Sequence, residues 1–311
     1  MPKILITPRS FAKYNNEPYL KLERAGIEYV NNPVGGILSK EEMLHHIKDI
    51  DGIIVGVDPL DEDVLSAGNL KAISKYGIGT DNIDLDYCEN HNIDVTITKN
   101  ANSEAVADYT FALILAVARK VVEIDRKCRN GDWSKNISSD VFGKKIGIVG
   151  LGAIGRGVVA RAKGFNMELL GYDVYKDDGY LSENKIRFAS IDEMLKECDF
   201  VSFHIPLTKD TKHIVNKENL STAKNNLIII NTARGGIINE DDLYDALKNN
   251  IILGAGLDVF ENEPPTGSKL LKLDNIVVGS HCAASSEGAV NTMSEIATDN
   301  IITMFRERKM I

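Results

Sequence analysis

Three strand-like runs in the second half of the chain each end on residues able to handle charge. Leu227-Ile228-Ile229-Ile230-Asn231 runs into Thr232-Ala233-Arg234-Gly235-Gly236; Gly256-Leu257-Asp258 leads to Glu261-Asn262-Glu263-Pro264-Pro265; Ile276-Val277-Val278-Gly279-Ser280 precedes His281. Ligands of parallel α/β sheets bind at the carboxyl ends of the strands, so an arginine, two acids and a histidine are expected on one rim. Singly, each has an ordinary reading as a surface arginine, a solvated acid or a loop histidine. Together they suit one chemistry. A 2-keto acid that accepts a hydride develops negative charge on its carbonyl oxygen, which a proton donor and a fixed cation would stabilise. His281 can give or take that proton. Glu263, hydrogen-bonded to the imidazole, would favour its charged form, and the donor fork of Arg234 can hold a carboxylate and polarise the carbonyl.

A hydride source is suggested upstream. Lys145-Ile146-Gly147-Ile148-Val149-Gly150-Leu151-Gly152-Ala153-Ile154-Gly155 is an apolar strand running into GxGxxG and then a helix. Gly150 permits a tight turn, Gly152 the approach of a pyrophosphate and Gly155 close contact of helix and strand, while first-turn amides and the helix dipole attract the anion. The next strand ends at Asp173, which can accept hydrogen bonds from ribose hydroxyls and repels a 2′-phosphate. NAD is therefore favoured, with Lys176 nearby keeping NADP open.

The rest of the chain must position these groups. It has 311 residues, 43% hydrophobic and 26% charged, with net charge -9. That length favours two domains, and the apolar content excludes a disordered chain. The acidic balance without a basic run argues against nucleic acid. The longest clean apolar stretch, 111–118, is too short to span a bilayer, and no leader is apparent, so no membrane partner is expected and a cytoplasmic protein is. Cys88, Cys128, Cys198 and Cys282 lack metal or disulfide spacing, so no metal is expected. β-rich runs at 3–7, 28–30, 52–55, 72–74 and 94–96 form one α/β unit; runs at 145–149, 168–172, 200–203, 227–231, 254–257 and 276–279 predict a second, six-stranded one. A helix from about Asn102 to Arg119 connects them, and a last helix from about Glu287 to Arg308 could return to the first unit.

On these residues the chain resembles the D-isomer-specific 2-hydroxyacid dehydrogenase family. The resemblance spans Gly77-Ile78-Gly79-Thr80-Asp81-Asn82-Ile83-Asp84, the helix from Asn102, Gly150 to Gly155, Pro206-Leu207-Thr208, Thr232-Ala233-Arg234-Gly235, Gly256-Leu257-Asp258-Val259-Phe260 and Glu261 to His281. It implies an α/β fold in which a Rossmann NAD-binding domain (100–285) is inserted into a flavodoxin-like, discontinuous substrate domain (1–99 with 286–311), with a cleft between them and homodimers built on the Rossmann domain. It gives the catalytic roles to Arg234, Glu263 and His281. It gives NAD contacts to Ile78, Ala153, Ile154, Asp173, Ile205, Thr232, Ala233, Asp258, His281 and Ala284, with Asp258 facing the nicotinamide carboxamide. It gives the substrate to the loop Lys75-Tyr76-Gly77-Ile78-Gly79, whose amides meet a carboxylate, and to Asn102.

The implied activity is NAD-dependent interconversion of a small D-2-hydroxy acid and its 2-keto acid, of the phosphoglycerate, hydroxypyruvate or glyoxylate type. Phosphoglycerate enzymes often carry arginine where Lys75 stands, and a lysine can still pair with phosphate as a point charge. Arg9 could add a cation. No regulatory module is expected after Ile311, and Glu263 disfavours the formate-oxidising branch, which has glutamine there. Two other readings stay open: an NAD(H)-sensing interaction protein of the same fold, and a dehydrogenase of another small oxyanion such as phosphite. His204 is expected to pack or orient, His45 and His46 cannot share a helix face, Cys282 is expected to be inert, and Trp133 is expected to anchor packing near an interdomain or dimer surface.

Overall fold

A computed structural model describes residues 1–311, which form two compact units: residues 1–102 with 285–311, and residues 103–284. In the first, short β-branched runs make five strands: β1 (Lys3–Ile6), β2 (Glu28–Asn31), β3 (Gly52–Val55), β4 (Ala72–Lys75) and β5 (Asp94–Ile97). All pair in parallel in the order β2-β1-β3-β4-β5, the flavodoxin-like arrangement. β3 and β4 are buried along their whole length, as a central parallel strand with helices on both faces must be.

The last helix, Glu287–Glu307, belongs to this unit. Ser286 caps it by accepting from the Ala289 amide. Val290, Met293, Ala297, Ile301 and Phe305 recur at helical spacing and are buried. The fit is close: a methyl at Gly52 would meet the Phe305 ring at 2.8 Å.

The second unit holds β6 (Lys145–Val149), β7 (Glu168–Tyr172), β8 (Arg187–Phe188), β9 (Phe200–Phe203), β10 (Ile228–Asn231), β11 (Gly254–Leu257) and β12 (Ile276–Val278). They pair in parallel in the order β12-β11-β10-β9-β6-β7-β8, which contains the Rossmann order. The α/β fold class read from the sequence is what the chain adopts. The sheet has seven strands rather than six. β8 is two exposed residues on the edge, too short and too polar to show a strand pattern. Helix Ser103–Ala118 lies within this unit, with Ala107, Thr110 and Ile114 fully buried; Gly157 lets the helix Ala153–Gly164 approach it closely, since a Cβ there would lie 3.0 Å from that of Ala107. No helix is long and apolar enough to cross a membrane.

Within the second unit Trp133 is exposed, at 80%. It is not part of the core of that unit, and its expected place was an interdomain or dimer surface.

Candidate active site

The glycine turn follows β6 at the point where β6 separates β7 on one side from β9 on the other, the switch point of the sheet. Its glycines answer three different demands. Gly150 has φ +97, and a Cβ there would lie 2.5 Å from His204 O at the end of the neighbouring strand. At Gly155 a Cβ would lie 1.9 Å from Gly150 O, so only glycine lets the helix start this close to the turn. At Gly152, the residue preceding helix Ala153–Gly164, an added Cβ would meet nothing within 4 Å. That open space in front of a helix N-terminus is what a dinucleotide phosphate needs.

Asp173, one residue past β7, accepts from Leu151 N at 2.7 Å and Tyr175 N at 3.1 Å. The carboxylate thus braces the turn. Ala153 and Ile154 open the helix, with Ala153 exposed. These residues fit a dinucleotide, and the carboxylate suits one without a 2′-phosphate.

Two more expected contacts lie beyond β9 and β10. Ile205 follows His204, whose Nε2 pairs with Ser202 Oγ at 2.7 Å and whose Nδ1 is shielded from solvent without a partner. Burial drops the His204 pKa to about 3, so this ring is neutral and orients rather than exchanges protons. Thr232 Oγ1 pairs with Thr110 Oγ1 at 3.0 Å, tying the end of β10 to helix Ser103–Ala118.

Arg234 is presented by a turn that Asn231 organises. The Asn231 side chain accepts from Ala233 N at 3.0 Å and donates to Arg234 O at 2.8 Å. Arg234 Nη1 donates to Ala233 O at 2.7 Å. A methyl on Gly235 would fall 1.9 Å from Phe260 O, so the arginine turn and the loop that carries Glu263 touch backbone to backbone. Sequence reading missed both Asn231 and Gly235. An asparagine closing a buried strand and a Gly-Gly pair were the available signals.

Across that contact, Phe260 N donates to Glu263 Oε1 at 3.0 Å, and His281 Nδ1 lies 2.8 Å from Glu263 Oε2. Burial raises the Glu263 carboxyl, but the bond from His281, the Phe260 N–H and the nearby Arg234 charge outweigh it and hold the group below the usual glutamate range. Glu263 is therefore an anion at neutral pH. Arg234, Glu263 and His281 are thus brought together within the second unit.

His281 sits at φ +56, a conformation that costs a non-glycine residue about 1–3 kcal/mol unless the surroundings enforce it. Asp258 enforces it. Its carbonyl accepts from His281 N at 2.7 Å, and its carboxylate accepts from Cys282 N at 3.0 Å and Ala283 N at 2.8 Å. The side chain is 1% exposed, so the expected cofactor contact at Asp258 coincides with a brace under the histidine. Gly279 makes room, since a Cβ there would lie 2.1 Å from Asp258 Oδ1. Ala284 closes this segment. Cys282 Sγ lies 3.4 Å from Tyr109 OH, a contact that packs the thiol beneath the turn.

In the first unit, Gly77 stands at φ +126, and its amide donates to Thr98 Oγ1 at 2.8 Å. The amides left to meet a ligand in this loop are those of Ile78, which is 40% exposed, and Gly79. Tyr76 turns away, its hydroxyl donating to Val290 O at 3.0 Å. Lys75 is 4% exposed, and its ammonium donates to Gly56 O and to Asn82 Oδ1. Asn102 is buried, with its Oδ1 unpartnered.

Residues 111–283 match the model of the D-isomer specific 2-hydroxyacid dehydrogenase NAD-binding domain. The chain is 40% identical over 277 residues to a glyoxylate reductase of Korarchaeum cryptofilum, covering 86% of this chain and 83% of that one. It is 39% identical to a D-3-phosphoglycerate dehydrogenase of Methanocaldococcus jannaschii, covering 86% of this chain but only 52% of that longer one. Among solved structures it superposes on a D-lactate dehydrogenase of Aquifex aeolicus complexed with NAD and lactic acid, with TM-score 0.84, 30% identity and coverage of 99% and 96% of the two chains. With a Rossmann sheet, a dinucleotide turn and a carboxylate-paired histidine already in place, these matches make the chain a member of the D-isomer-specific 2-hydroxyacid dehydrogenase family, NAD-dependent enzymes that interconvert 2-hydroxy and 2-keto acids.

Proposed function

We propose that the chain reduces a small 2-keto acid of the glyoxylate or hydroxypyruvate kind to its D-2-hydroxy acid, with His281 as acid and base. The observation that carries this reading is the 2.8 Å contact of Glu263 with His281 Nδ1. It fixes the ring and leaves Nε2 as the nitrogen that exchanges a proton with the substrate oxygen. Bound NADH supplies the hydride. Arg234 holds the substrate carboxylate and offsets the charge that grows on the carbonyl oxygen; in the first unit, the Ile78 and Gly79 amides are the groups that a carboxylate would meet. Asp173 and the glycine turn hold the dinucleotide, with Ala153, Ile154, Ile205, Thr232, Ala233, Asp258 and Ala284 lining its path. Asn102 is assigned to the substrate.

Names of relatives favour glyoxylate as the first compound to try. The test is NADH oxidation over glyoxylate, hydroxypyruvate, pyruvate, 2-ketoglutarate and 3-phosphohydroxypyruvate. Turnover of at least one is expected; tight NADH binding without turnover of any would contradict the assignment.

We also propose a homodimer. Val121, Val122, Trp133, Ile137 and Phe142 are all more than half exposed and close in sequence, apolar side chains that a second copy of this chain would cover. Sedimentation would read a mass twice that of the chain, and a monomer would refute it. Four unpaired cysteines support a reducing compartment such as the cytoplasm.

A further inference from the structure

A buried polar system lies at the carboxyl ends of β1, β3 and β4 in the first unit. Thr7, Asp58 and Lys75 are each less than 5% exposed. The Lys75 ammonium donates to Gly56 O and, at 2.8 Å, to Asn82 Oδ1. Asn82 Nδ2 donates to Asp58 O at 2.5 Å and Gly56 O at 3.2 Å. The Asp58 carboxylate accepts from the Thr7 hydroxyl and from Leu38 N at 2.8 Å, and Thr7 Oγ1 accepts from Gly56 N at 3.0 Å. A buried ammonium is tolerated only where acceptors surround it, and withdrawing it would strand them.

The geometry has a direct consequence for the loop between β4 and Asn82. Lys75 is the last residue of β4, and Asn82 lies seven residues further on, so their side-chain bond closes the base of the segment 76–81. The Ile78 and Gly79 amides sit within that closed loop. A cation able to pair with a substrate phosphate would have to reach out from the strand end, whereas this one is buried and bonded to the base of the loop at Asn82.

We propose that Lys75 is a positioning residue that clamps the loop presenting these amides, and that the substrate is accordingly a 2-keto acid without a phosphate. This rests on the reading above that the loop takes the substrate carboxylate. Arg9, exposed on the turn after β1, is the other cation at this edge, and a phosphorylated substrate in the assay reports on it as well.

The experiment is steady-state reduction by NADH of glyoxylate, hydroxypyruvate and 3-phosphohydroxypyruvate by the wild type, Lys75→Met and Asn82→Ala, with NADH affinity followed by fluorescence. Wild type should favour hydroxypyruvate over its phosphorylated form by about tenfold or more in kcat/KM. Lys75→Met should raise KM for glyoxylate and hydroxypyruvate by a similar factor, about tenfold, with NADH affinity kept. A loss confined to folding would lower the active fraction without this split. Asn82→Ala retains the ammonium and removes one acceptor; it should raise the same KM values by a smaller factor, and it carries the test if Lys75→Met does not fold. A wild-type preference for 3-phosphohydroxypyruvate, a Lys75→Met loss confined to that substrate, or unchanged keto-acid KM values in both variants would overturn the proposal. Failure of all three keto acids to oxidise NADH would instead refute the dehydrogenase assignment, and the proposal with it.

Discussion

Replacing Glu263 by glutamine should slow reduction, and the structure sets the size of the loss. A carboxylate at 2.8 Å from an imidazole nitrogen makes a charge-assisted hydrogen bond, a class that contributes about 1.5–3 kcal/mol. The two side chains are 42% and 36% exposed, so water screens the pair and the lower end, about 1.5 kcal/mol, applies. At about 1.4 kcal/mol per factor of ten this is about tenfold in rate. The sign follows from the chemistry. Glu263 fixes the His281 ring through Nδ1 and leaves Nε2 to pass a proton to the substrate oxygen, and glutamine keeps the shape without the charge; kcat/KM for the best keto acid at saturating NADH should therefore fall about tenfold in Glu263→Gln, with NADH affinity kept. An unchanged kcat/KM would show that this pair does not assist the proton transfer.

Two further outcomes follow from other sites. Asp173→Ala should raise the KM for NADH by about tenfold or more while narrowing the preference for NADH over NADPH. Because Asp173 also braces the turn through Leu151 N, the ratio of the two cofactors is the decisive reading, and an unchanged ratio would remove Asp173 from cofactor choice. At Asp199, burial raises the carboxyl, but Lys224, the Lys145 N–H and Asn226 outweigh it and hold it below the usual aspartate range. A lowered folded-state value means that the stabilisation is present above the unfolded value and is lost as pH falls through the folded one. Asp199→Asn should therefore cost about 2–3 kcal/mol in urea unfolding at neutral pH, with the difference from wild type closing in strong acid; an equal deficit at both pH values would contradict the pairing.

Much of the fold was legible because parallel strands buried on both faces read as short apolar runs, as in Ile228–Asn231 and Gly52–Val55, between helices with caps such as Ser286. What escaped had no such pattern. β8 is two exposed residues. At the site, the residue types and strand-end positions of Arg234, Glu263 and His281 were visible, but the groups that aim them were not. Asn231 acts on its own turn, Gly235 admits the Phe260 backbone, and Asp258 holds a turn more than twenty residues away in sequence. Such long-range contacts leave no periodic trace. Lys75 likewise looked like a cation offered at a loop, and only the fold reveals acceptors from Gly56 and Asn82 around it.

The central claim is that His281 moves the proton that accompanies hydride transfer. His281→Asn keeps a polar side chain on the same turn and removes the titrating ring. Turnover of the best keto acid should fall about 10²–10⁴-fold, with NADH affinity, read by fluorescence titration, within about twofold of wild type. Turnover near the wild-type rate with NADH bound normally would contradict the account.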